Sequence, residues 1–79
     1  MRIDKFLKNS RIIKRRSIAK EACETGRVLI NGKEAKPGSE VSIGDLVEIN
    51  FGNSSMKIEV EKILDHVPKD KAPELYKVL

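Results

Sequence analysis

The sequence predicts an α+β domain: two short N-terminal helices packed on a small, bent antiparallel sheet. Three observations lead there. Apolar residues recur at helical spacing in residues 3–7 and again in 18–23. The dipeptide Asn31-Gly32, whose two residues both tolerate positive φ, follows a run of strand-forming residues. Two later stretches, 46–51 and 56–60, alternate apolar with polar side chains, as half-buried strands do.

Each element follows from its own residues. Ile3, Phe6 and Leu7 stand at i, i+3 and i+4 and form one stripe of a first helix, with Lys5 and Lys8 off that stripe. Residues 9–16 read as a basic connection whose Ile12 and Ile13 supply an anchor for the core. In the second helix, Ile18, Ala19, Ala22 and Cys23 form two i,i+4 pairs, and Ser17 is a candidate cap. The small Ala19 and Ala22 allow close approach of the first helix. Gly26 is placed to end the helix in a left-handed conformation. Val28-Leu29-Ile30 is a short strand, Asn31-Gly32 the hairpin turn, and Lys33-Glu34-Ala35 the return. Pro37-Gly38 and Gly44-Asp45 mark further turns. Val47, Ile49 and Phe51 share one face of a third strand, and Met56, Ile58 and Val60 one face of a fourth. Phe6 and Phe51 are expected in the core. Near the C-terminus, Asp70 is a candidate cap for a last helical turn that tolerates Pro73 early, with Leu75, Tyr76 and Leu79 docking on the sheet.

Composition bounds the function. The chain has 79 residues, of which 39% are hydrophobic and 35% charged, which suits one small, very polar globular domain. No stretch approaches the ~20 apolar residues of a membrane span, and no secretory h-region follows the N-terminus. Cys23 is the only cysteine, which fits a reducing cytoplasm. The first twenty residues hold eight Lys or Arg and one acid, Asp4. Residues 1–36 hold eleven Lys or Arg and four acids, a net +7, whereas residues 37–79 hold five Lys and eight acids, a net −3. That split describes an oriented binder with one cationic side. Basic residues interleaved with a buried stripe form a folded cationic surface, whose expected partner is RNA. A merely solvated cationic face is the plain alternative.

Residue chemistry ranks the cations. Arg2, Arg15 and Arg16 are the expected contacts to phosphate or base edges, because a planar guanidinium grips phosphate bidentately and stacks on unpaired bases. Lys5, Lys8, Arg11, Lys14 and Lys20 supply diffuse attraction. Asp4 either orients Arg2, Arg16 or another neighbouring cation, or serves the helix dipole as a first-turn acid. Arg27, Lys33 and Lys36 either extend the surface or protect an edge strand. Cys23 reads as buried and structural, and lone His66 as a loop residue without metal-ligand company. No nucleophile elbow, phosphate loop or dinucleotide motif is present, so neither a cofactor nor catalysis is expected.

The run Arg16-Ser17-Ile18-Ala19, then Gly26-Arg27-Val28-Leu29-Ile30-Asn31-Gly32, then Val41-Ser42-Ile43-Gly44-Asp45-Leu46-Val47, resembles the S4-type (alpha-L) RNA-binding domain. The opening Arg2-Ile3-Asp4-Lys5-Phe6-Leu7 is similar to the start of that family, and the likeness runs to about residue 51. Arg15 stands where the family often has a Ser or Thr cap. The resemblance implies an S4 domain over residues 1–62 with a C-terminal extension, 63–79, packed on or beside it. It is strongest toward the small free-standing bacterial members that act in ribosome-associated quality control, and toward the related heat-shock member. It therefore implies binding to large-subunit rRNA and tRNA on large subunits with stalled nascent chains, in support of alanine tailing by an RqcH-type factor; separately, the chain is expected to be a monomer. Rival readings are an RNA-guiding part of an enzyme, a DNA-binding module and a protein-interaction module. The length, the hairpin directly after the second helix and the lack of a dimer-forming segment weigh against the first two.

Overall fold

The computed structural model describes residues 1–79 and contains two helices followed by a five-stranded antiparallel sheet. Helix α1 spans Ile3–Asn9 and α2 spans Arg16–Glu24. Strands are β1 (Val28–Ile30), β2 (Lys33–Glu34), β3 (Leu46–Asn50), β4 (Ser55–Val60) and β5 (Tyr76–Val78). A 3₁₀ segment, Lys69–Leu75, precedes β5. The sheet order is β2-β1-β3-β4-β5, so the C-terminal strand forms one edge and the return of the Asn-Gly hairpin the other.

Register puts the apolar residues on one face. Val28 pairs with Ile49, Val47 with Ile58, and Val60 with Tyr76. Because directly opposed residues share a face, Val28, Val47, Ile49, Ile58 and Val60 line one side of the sheet, and all five are buried. The outer face carries Glu48 opposite Lys57 and Glu59 opposite Lys77. Ile3, Phe6 and Leu7 of α1 and Ala19 and Cys23 of α2 complete the same core cluster, together with Ile13 from the connection and Leu75.

Turn chemistry explains the connections. Arg27 N–H donates to the Ala22 carbonyl and Gly26 N–H to that of Cys23, closing α2 with Gly26 at φ +75°. Asn31 and Gly32 take φ +52° and +83°, the twin left-handed turn that matches strand twist. Residues 1–4 are held by the loop before β3. Ile3 N–H donates to the Ser39 carbonyl, Val41 N–H to that of Met1, and the N-terminal ammonium pairs with Glu40 at 2.7 Å.

Five expectations need correction. Ile18 is 49% exposed, because so short a helix presents a narrow stripe to the core and Ala19 and Cys23 occupy it. Ser17 lies inside α2; the N-cap is Arg15, whose side chain makes no capping bond. Phe51 is 47% exposed, since β3 ends at Asn50 and the chain then reverses, Phe51 N–H donating to the Ser54 carbonyl. Asp70 lies within the 3₁₀ segment, which Pro68 precedes as cap. Of the three residues expected to dock, Leu75 is buried and Tyr76 half-buried, whereas Leu79 is exposed.

Candidate nucleic-acid interface

The site grows from a carboxylate that has little access to water. Asp4, in the first turn of α1, has a side chain only 3% exposed. Burying an ionised carboxylate is costly unless charges and donors surround it. Three donors do so. The Lys5 backbone N–H donates to Oδ1 at 2.8 Å, Arg2 Nη2 to Oδ2 at 3.2 Å, and Arg16 Nη2 to Oδ1 at 3.4 Å. Arg2 is the N-cap of α1 and Arg16 the first residue of α2, so one carboxylate ties the starts of both helices together. The two arginine side chains remain about half exposed, at 50% and 47%. Each guanidinium thus spends one edge on Asp4 and leaves its remaining N–H donors facing solvent in a fixed orientation.

The other cations divide into groups. Lys5 pairs with Asp65 at 3.1 Å, and Asn9 Nδ2 donates to the carbonyls of Leu64 at 3.0 Å and Asp65 at 3.2 Å, fastening α1 to the loop after β4. Lys8, Arg11 and Lys14 line a shallow open cleft of about 500 Å³ with Asn9, Asp65, His66, Val67 and Pro68. Arg15 and Lys20 are exposed at the start and middle of α2. None of Lys8, Arg11, Lys14, Arg15 or Lys20 enters an ion pair. Arg27, Lys33 and Lys36 are exposed about the β1–β2 hairpin. Burial pushes the Cys23 thiol up to about 11, with Asp4 and Glu24 adding to the rise, so it is a poor nucleophile. Nothing in the spacing of residues points to Asn9, Asp65 and His66 as neighbours of the cations of the helical half. Those contacts span more than fifty residues and follow from the return of the chain after β4.

Comparison with known proteins identifies the lineage. The S4 domain family model matches residues 1–47, well over half of the chain. The chain belongs to the S4 domain family. Within it, the chain is 49% identical over 78 residues to the RQC P-site tRNA stabilizing factor of Halalkalibacterium halodurans, covering 99% of this chain and 89% of that one. It is 46% identical to the factor of the same name from Listeria innocua, over 100% of this chain and 86% of that protein. These relatives place it in the RqcP group of S4 proteins. Among solved structures, heat shock protein 15 of Vibrio cholerae, described as trimeric, superposes with a TM-score of 0.92 at 36% identity, covering all of this chain and 81% of that one. The S4 match ends within β3, so β4, the 3₁₀ segment and β5 lie beyond it, while the full-length relatives span them too. No helix is long and apolar enough to cross a membrane.

Proposed function

We propose that this S4 protein binds structured RNA of the large ribosomal subunit, rRNA and tRNA together, during ribosome-associated quality control of stalled nascent chains. In that role it supports alanine tailing by an RqcH-type factor in the cytoplasm. The observation that carries the reading is the pair of half-exposed arginines, Arg2 and Arg16, fixed on buried Asp4. Lys5, Lys8, Arg11, Lys14, Arg15 and Lys20 surround them in sequence and supply attraction to phosphate. The names of its relatives support the tRNA part, since those proteins are called P-site tRNA stabilizing factors. The mechanism is binding rather than chemistry. A protein that touches an rRNA helix and a tRNA at once favours the ribosomal state that presents both.

The test is sedimentation of cell lysate on a sucrose gradient. Wild-type protein is expected with large subunits that carry nascent chain. The Arg2→Ala/Arg16→Ala variant should shift to the top of the gradient, with a loss of affinity of at least about a hundredfold for two charge-assisted contacts. Wild-type protein travelling only with small subunits would sink the proposal. The close superposition on heat shock protein 15 favours a second reading, rescue of stalled large subunits under heat stress. The two separate on a stalled reporter: loss of alanine tails without the protein supports the first, and intact tails with a defect only after heating supports the second.

A further inference from the structure

The cleft beside the helical pair has features that the general role of its cations does not explain. Arg11 adopts φ +61°, a left-handed conformation in which a residue with a Cβ is uncommon and strained. It stands just after the Ser10 cap of α1, a position where glycine is favoured. Its N–H donates to the Lys8 carbonyl at 3.0 Å, Ile13 N–H donates to that of Leu7 at 3.1 Å, and buried Ser10 donates its hydroxyl to the same Leu7 carbonyl. The backbone is thus held in a turn that a glycine would make at lower cost, yet the residue is an arginine facing a cleft. Lys8 and Lys14 face the same cleft, and none of the three has an acidic partner. The one bordering acid, Asp65, is engaged by Lys5. The far wall, residues 65–68, is fastened at its start by the bonds from Asn9 to the carbonyls of Leu64 and Asp65.

The geometry points to a second phosphate subsite of the RNA interface: Lys8, Arg11 and Lys14, closed by the Asp65–Pro68 loop, take a backbone phosphodiester of RNA. This deepens the RNA-binding reading and rests on it. The Arg2–Arg16 pair and the cleft then grip separate phosphates, and the loop after β4 becomes part of the RNA-binding surface.

The test is binding of purified bacterial large ribosomal subunits, and of tRNA, across a salt series with four variants, Arg2→Ala/Arg16→Ala serving as the reference for loss of the first site. Arg11→Gly relieves the left-handed strain, so the protein should unfold at an equal or higher temperature. Its affinity should nevertheless fall about tenfold, the worth of one charge-assisted contact, and the slope of log K against log salt should shrink by about 0.7–0.9. Lys8→Ala/Lys14→Ala should lose as much or more. Lys77→Ala removes one cation from the outer face of the sheet and should stay within about twofold. If Arg11→Gly and Lys8→Ala/Lys14→Ala bind like wild type while Arg2→Ala/Arg16→Ala fails, the cleft is not a subsite and the RNA reading stands. If Lys77→Ala loses as much as Arg11→Gly, the attraction is diffuse and the subsite is again overturned. If wild-type protein binds neither probe, the RNA reading falls and the subsite with it.

Discussion

Asp4 determines how two of the cations meet solvent. It is the one acid in the first twenty residues and the least exposed acidic side chain that forms an ion pair. If RNA meets this face, an acid there weakens long-range attraction, so its presence needs a compensating gain. That gain would be geometry: Arg2 and Arg16 are both hydrogen-bonded to the same carboxylate, which leaves less ordering to be done on binding. Asp4→Asn separates charge from geometry. It raises the net charge from +4 to +5 and keeps the volume, yet both guanidinium groups lose their anionic partner. We expect affinity for large subunits to fall several-fold despite the added positive charge, as read by co-sedimentation. The fold should lose about 1–3 kcal/mol in urea unfolding, the usual cost of removing one partner of a charged hydrogen bond. Tighter binding by Asp4→Asn would show that charge outweighs orientation. This site was partly legible in the sequence. Asp4 stood out as the lone acid among cations, and orientation of Arg2 or Arg16 was one of its two readings. The other reading was a first-turn acid, and Asp4 stands in the first turn of α1 with its carboxylate accepting the Lys5 N–H. Arg11 was legible only as a charge, since its left-handed backbone follows from how α1 ends.

At the scale of elements, turns carried most of the information that sequence offered. Asn31-Gly32 specifies its hairpin because both residues adopt positive φ cheaply, and Leu29 opposite Glu34 confirms the register. Gly26 specifies the end of α2 for the same reason. Gly26→Ala tests that point. A methyl group there forces an L-residue to φ +75° and runs into the flexible end of Glu34, which can move aside. Destabilisation of about 1–2 kcal/mol follows from the backbone alone, about 4–16 °C in melting temperature for a domain of this size. Circular dichroism melts would measure it. RNA affinity at low temperature should be unchanged, since Gly26 supports the scaffold and contributes no cation. The least legible element was β5. Tyr76-Lys77-Val78 is too short for alternation to register, and it comes directly after a proline-containing 3₁₀ segment. Its pairing with β4 depends on a long return of the chain, which local spacing does not encode. Phe51 and Ile18 were misplaced for a related reason. Periodicity states which residues share a face, but it does not state how far along the element that face remains covered.

For the molecule as a whole, the uneven charge of the sequence becomes a question of distance. The fold measures 28 × 24 × 24 Å, about three screening lengths across at physiological salt and about one at 0.01 M. The helical pair and cleft carry unpaired cations, whereas the outer sheet face carries Glu48 and Glu59 beside Lys57 and Lys77. If RNA meets the helical side, acids on the outer sheet face should be nearly invisible to it under cellular conditions and visible when salt is dilute. Glu48→Gln/Glu59→Gln raises the net charge from +4 to +6 without touching the helices. At 0.15 M salt, affinity for large subunits should change by less than about twofold, because those charges lie beyond the screening length. At 0.01 M salt it should rise by clearly more, through faster association rather than slower release. Wild-type protein that neutralises about five phosphates should show a slope of log K against log salt of about −3.5 to −4.5. The double variant should keep that slope over the physiological range, since it adds no phosphate contact. A large gain in affinity at 0.15 M would mean that the sheet face itself approaches the polyanion, and the orientation argued from Arg2, Arg16 and the cleft would be reversed.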